Sequence, residues 1–137
     1  MFFNKDKKND RKDDLIKVAA LLIHAAKIDE NFSEEEEKII EQALTKIDKF
    51  NQNIKEIINE GKIMEENTNQ ILDFTKEVKN MNEKNKIRII ETLWQIIYSN
   101  KDADVYETNL MRRLAGLLYI DNKTMGDIKE KIKKENS

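Results

Sequence analysis

The chain contains no cysteine, no proline and only three glycines in 137 residues. Without cysteine there is no disulfide, no thiolate metal site and no cysteine nucleophile. The lack of proline and the scarcity of glycine argue against a sandwich, a barrel or a loop-rich enzyme, all of which are built on tight turns. A surplus of one charge is also missing. Twenty-five Lys+Arg face 27 Asp+Glu, leaving a net charge of -2. A protein dedicated to nucleic acid or to a membrane surface carries a basic excess instead. No apolar run approaches the roughly 18 residues that a membrane span needs. The opening Met1-Phe2-Phe3 precedes the charged Asn4-Lys5-Asp6-Lys7-Lys8, the reverse of a signal peptide's order. A cytoplasmic location is therefore expected.

What the chain does have is 39% apolar and 38% charged residues. That is enough apolar material for one core and too little length for two, so a single all-α domain is expected. Lys far outnumbers Arg, and Ile and Asn are abundant. This reads as AT-rich coding bias, so individual Lys or Asn residues carry little weight.

Residues 1–12 mix Lys and Asp with almost nothing apolar and read as a disordered or frayed arm; the helical domain is expected over 13–134. Helical spacing of Leu15, Val18, Ala19, Leu22, Ala25 and Ala26 predicts a helix from Asp13 to Ile28. Ser33 and Glu36 form a capping box that opens the next, with Ile39, Ile40, Ala43, Leu44 and Ile47 inward. Asn51 is the expected cap of a short helix holding Ile54, Ile57 and Ile58 and stopped by Gly61. Asn67 or Thr68 starts another, with Ile71, Leu72, Phe74 and Val78 inward. From Asn82 to Ser99 apolar residues wrap nearly all round, the pattern of a central helix. Asp104 and Glu107 make a second capping box for a helix through Leu118. The last helix, from Asn122 to Lys134, ends in lysines that suit its negative dipole end. Seven helices result.

At an offset of 71 residues the chain repeats itself. Ile16, Val18, Leu22 and Ala26 meet Ile87, Ile89, Leu93 and Ile97, and the register continues through the turn, where Ser33 meets Asp104 and Glu36 meets Glu107. Two helix–loop–helix copies related by a pseudo-twofold axis are the expected architecture, because neither hairpin alone has enough core.

An apolar helix, an acidic four-residue break, a capped turn and a second helix, given twice, resemble the TerB tellurite-resistance family, in particular its small stand-alone proteobacterial members. The residues that carry the resemblance are Leu21 to Asp29, Ser33-Glu34-Glu35-Glu36, Asp73-Phe74-Thr75, Ile89 to Tyr98 and Tyr106 to Leu118. The resemblance implies a bundle of about seven helices with no established catalytic activity. It further implies an association with tellurite and chemical stress, metal binding through acidic residues, and membrane and cytoplasmic partners. The family's acidic break reads Asp-Gly; here it is Asp29-Glu30 in the first copy and Asn100-Lys101 in the second. Losing the carboxylate at Asn100 and gaining Lys101 weakens a cation site there.

Glu91 is the most informative polar residue, falling between Ile87, Trp94 and Tyr98 on a helical wheel. A carboxylate buried there needs a partner, either a cation or a Lys or Arg such as Arg112 or Arg113. It reads as a packing ion pair, a metal ligand, or a group half-exposed at a groove. Asp29, Glu30, Glu34 and Glu36 crowd one turn, and Asp102, Asp104 and Glu107 the other. Clustered carboxylates suit calcium or magnesium, yet the spacing is not that of an EF-hand, and capping explains several of them. Asp29, Glu36, Glu91 and Glu107 are the expected ligands if a divalent cation binds.

His24, the only histidine, leaves a zinc site or a catalytic triad without its complement; it reads as solvated or facing a partner. Trp94 and Phe74 read as core, and Arg112-Arg113 as a solvated face. There is no P-loop, dinucleotide turn or nucleophile elbow. The expected function is a non-enzymatic stress-resistance binding module, with a cation at its acidic turns or, alternatively, as a metal-free adaptor for a protein partner. A metal-dependent hydrolase would need a concave acidic pocket beside Glu91. Peripheral membrane contact through Phe2-Phe3 has only weak support.

Overall fold

From Leu15 to Ala26 there is no glycine or proline, and every side chain except Lys17 and His24 is buried. Such a segment is covered on several sides, rather than laid on a core by one face. In the computed structural model, which describes residues 2–29, 32–48, 53–68, 71–99 and 105–136, it forms the end of α1 (Phe2–Ala26), followed by a 3-10 turn, Lys27–Asp29. Six helices follow: α2 (Glu34–Ile47), α3 (Ile54–Glu66), α4 (Leu72–Val78), α5 (Glu83–Tyr98), α6 (Val105–Leu117) and α7 (Asn122–Glu135). No strand occurs among the described residues, and no helix there is long and apolar enough to cross a membrane. The all-α bundle, with seven helices among the described residues, is as the sequence predicts.

The helix starts follow local chemistry. Ser33 accepts from the Glu36 N–H at 3.1 Å, and Glu36 Oε1 accepts from the Ser33 N–H at 2.9 Å, closing the expected capping box. Asn82 Oδ1 accepts from the Asn85 N–H at 2.8 Å, and Asp121 Oδ1 from the Thr124 N–H at 2.7 Å. Hydrogen bonds from the Thr124 side chain and backbone hold the Asp121 carboxyl below its ordinary value. Asn53 occupies the N-cap position of α3, with no capping bond from its side chain to the helix. The expected caps Asn51 and Asp104 lie outside the described residues.

Three details depart from the sequence reading, and a fourth adds to it. First, α1 begins at Phe2, ahead of Asp13. A formed helix propagates at one hydrogen bond per residue, and nothing from Phe2 to Lys12 breaks it. Lys12 Nζ lies 3.5 Å from Glu56 Oε1 and 3.9 Å from Glu60 Oε2, tying this stretch to α3. Second, Gly61 does not end a helix; it is buried inside α3. A Cβ there would stand 2.8 Å from Ala19 Cβ and 3.2 Å from the Ala20 nitrogen. The glycine is there so that α1 and α3 can approach closely. Third, Asn67 closes α3, its N–H reaching the carbonyls of Ile63 and Met64 at 3.2 Å. The next helix starts instead where the Ile71 carbonyl accepts from Phe74 and Thr75. The Leu72 side chain, expected inward, lies outside the described residues. Fourth, α6 ends in a Schellman turn, with Ile120 N–H to Ala115 O at 2.9 Å and Tyr119 N–H to Gly116 O at 3.4 Å. Tyr119, at φ 58, takes the left-handed position that glycine usually fills.

α5 is central, as expected, with Ile89, Ile90, Leu93, Trp94, Ile96 and Ile97 buried, but α1 is equally so. α1 packs on α2, α3, α4 and α5, with α3 its main neighbour, while α5 packs chiefly on α7 and α2. The 71-residue offset therefore carries further than the two-helix repeat, because it takes Ile57 of α3 to Ile128 of α7 and Gly61 to Ile132. Each copy is a three-helix unit whose first helix rests on its third.

Candidate functional site

The acidic break between α1 and α2 is the first place to look for a cation. Glu36 is buried there, but its Oε1 is taken by the Ser33 N–H and by the Ser33 hydroxyl at 3.0 Å. Asp29 closes the 3-10 turn; its side chain, like Glu30, lies outside the described residues. In the second break Asp102 and Asp104 are also outside them. Glu107 is buried in the first turn of α6. Among the described residues no three acidic or histidine side chains converge as a metal site requires.

Glu91 departs from the expectation of a buried carboxylate. Its side chain is 29% exposed, and its partner is neither Arg112 nor Arg113, both of which are exposed, but Lys131 of α7 at 3.2 Å. The helical wheel fixed its angle correctly; what it lacked was the shape of the neighbouring helices. α5 rests on α2 along one flank and α7 along another, and Glu91 falls in the seam between them. It is therefore the half-exposed groove residue among the three readings.

That groove lies between α2 and α5 and has a volume of about 160 Å³. α2 lines it with Ile39, Gln42, Ala43 and Lys46, and α5 with Arg88, Glu91, Thr92 and Gln95. Both sets follow the i, i+3, i+4, i+7 spacing of a single helix face. Arg88 Nη1 donates to the Lys46 carbonyl at 3.0 Å, joining α5 to the C-terminal turn of α2. The Thr92 hydroxyl donates to the Arg88 carbonyl at 2.7 Å. A concave surface beside Glu91 therefore exists, but its lining holds one carboxylate and two cations. The acidic pocket that a metal-dependent hydrolase would need is not formed by this lining, which sets a single carboxylate beside Lys46 and Arg88. Its chemistry is that of a hydrogen-bond donor surface. Gln42, Lys46, Arg88 and Gln95 were not singled out from the sequence. The available signal was the polar face Arg88-Glu91-Thr92-Gln95 interrupting a helix otherwise buried nearly all round.

A second groove, of about 350 Å³, lies between α2 and α3 and is lined by Glu34, Glu37, Glu41, Lys38 and Lys55 among others. Lys62 Nζ sits 2.7 Å from Glu37 Oε1 at its side. His24 is partly open to solvent, its side chain 36% exposed, and also meets the protein. Its Nδ1 lies 3.4 Å from Glu65 Oε1, beside Lys27 Nζ at 2.9 Å from Glu65 Oε2. The lone histidine thus belongs to a junction between the ends of α1 and α3. Trp94 and Phe74 are core, as expected. Trp94 stacks on Tyr98 at 5.8 Å between ring centres, and Lys129 of α7 lies 5.4 Å from its centroid.

Comparison with known proteins bears on this surface only at the level of the family. No curated protein and no solved structure matches the chain. The family profile described as tellurite resistance protein TerB matches residues 15–130, from the start of the buried part of α1 to the middle of α7. The seven-helix bundle and a family match over most of its length lead to one conclusion: the chain belongs to the TerB family, which is associated with tellurite resistance.

Proposed function

We propose that this protein is a non-enzymatic binding module serving tellurite resistance and the stress response, working in the cytoplasm and recognising a protein partner through its helical surface without a resident metal ion. The observation that carries the metal-free form is the engagement of Glu36 and Glu91. One is locked into the capping box of α2, and the other is paired with Lys131. A cation drawing on both would compete with a helix cap made through Glu36 Oε1 and with the Glu91–Lys131 ion pair. The cation-linked form of the same reading rests on Asp29 and Glu107, with Asp102 and Asp104 as further acidic groups in the second break.

Thermal melting of metal-stripped protein tests this directly. A ligand that binds only the native state raises the melting temperature by mass action. Unchanged melts in millimolar calcium, magnesium and zinc are expected. A calcium-specific rise that disappears in Asp29→Ala or Glu107→Ala would replace the metal-free form with the cation-linked one.

A further inference from the structure

The groove between α2 and α5 gathers more hydrogen-bond donors than the fold uses. A guanidinium carries five N–H donors, and among the described residues Arg88 commits only one, to the Lys46 carbonyl. It forms no ion pair there. The Lys46 ammonium and the Gln42 and Gln95 amides likewise engage no other described group. Arg88 is half-buried and anchored at one nitrogen, so its remaining donors are held in place before any ligand arrives. The only acid in the lining is Glu91, and Lys131 faces it from α7 at 3.2 Å. Positive charge therefore exceeds negative among the lining residues, Lys46 and Arg88 against Glu91. The carbonyls at the end of α2 bring the negative pole of the helix dipole to one edge, and the Arg88 bond covers the nearest of them.

We infer that this groove binds a small oxyanion, whose oxygens accept from Arg88, Lys46 and the two glutamine amides. Its volume of about 160 Å³ suits an ion of phosphate size with a few waters. Sites for drug-sized molecules begin at about 300 Å³, which sets nucleotides and cofactors outside it. The inference goes beyond the binding-module reading and stands whether or not a protein partner exists.

The test is an NMR titration of the whole chain at constant ionic strength with inorganic phosphate, with tellurite and, separately, with a glutamate-rich peptide. The Arg88 Nε–H and the Gln42 and Gln95 side-chain amides are followed. Saturable millimolar shifts at these groups are expected with at least one of the two ions, and which ion saturates tells tetrahedral from pyramidal geometry. Arg88→Gln should weaken that binding about 10-fold or more, the scale of a charge-assisted bond. Glu91→Gln should tighten it several-fold by removing a like charge. Both positions are half-exposed, and matching melting curves verify that the variants fold. Shifts that never saturate, that gather on the lysines ending α7, or that survive Arg88→Gln would overturn the inference. So would weakening in Glu91→Gln, or saturation by the peptide alone.

Discussion

The two halves of the molecule meet the same packing requirement with opposite materials. In the first, α1 and α3 come together over Ala19, Ala20 and Gly61, so closely that a single added methyl would fall 2.8 Å from Ala19 Cβ. In the second, the repeat puts Ile90, Glu91 and Ile132 at those positions, so larger side chains stand where the first half has small ones. Ala20 is fully buried, whereas its counterpart Glu91 reaches the surface and pairs with Lys131. Backbone proximity in one half thus corresponds to side-chain bulk and a polar rim in the other. On that polar rim Glu91 lines the groove between α2 and α5, whereas the buried Ala20 brings no polar group to the same position.

Exchanging the halves at that position should give the largest effect. Ala20→Glu places a carboxylate against the Gly61 backbone with no Lys131 equivalent, since the repeat puts Glu60 there. An unpaired buried charge costs several kcal/mol. Loss of cooperative thermal unfolding, followed by circular dichroism, is expected; a variant that melts like the parent would mean that α1 and α3 separate easily. Next come the paired interface substitutions. Ile132→Ala removes a fully buried branched side chain and should cost about 2–5 kcal/mol. Gly61→Ala improves helix propensity by about 1 kcal/mol, yet the clash with Ala19 costs about 1–3 kcal/mol. Net destabilisation by denaturant titration is expected, and a gain would show that the close approach has slack.

The ends of α2 and α6 differ in the same instructive way. Asp48 leaves α2 in extended backbone at φ -130, while its counterpart Tyr119 turns left-handed at φ 58. A non-glycine residue in that region carries about 1–2 kcal/mol of strain. Tyr119→Gly should relieve part of it against a more flexible unfolded chain, for a net gain of up to about 1 kcal/mol and a melting temperature higher by a few degrees. A loss would mean that the contact of Lys79 with the Tyr119 ring, 6.0 Å to its centroid, outweighs the strain.

How much of this was legible depended on the range of the physics involved. Ser33 with Glu36 could be read because both partners of a capping box lie within one turn. The buried helix from Glu83 to Tyr98 could be read because periodicity is local too. Gly61 could not, because its neighbours Ala19 and Ala20 belong to another helix, and glycine more often ends helices than joins them. Arg88 was missed for the same reason, since its anchor is a carbonyl of α2. The repeat offered a route to Gly61, because carrying it forward to Ile132 would have placed that position inside the last helix.

Glu91 offers the finest test, because two readings of it differ in size. A fully buried pair broken by Glu91→Ala would lose roughly 3–5 kcal/mol. The structure leaves the Glu91 side chain 29% and that of Lys131 59% exposed at 3.2 Å. A pair so open to water contributes about 0.2–1 kcal/mol and is screened by salt, while alanine in mid-helix recovers some of that through propensity. Glu91→Ala should therefore change stability by less than about 1 kcal/mol. A double-mutant cycle with Lys131→Ala should give a coupling of the same size that shrinks in concentrated salt. A loss of 3 kcal/mol or more would instead place the carboxylate in a desolvated seam, and the second half would then resemble the first more closely than its exposed rim suggests.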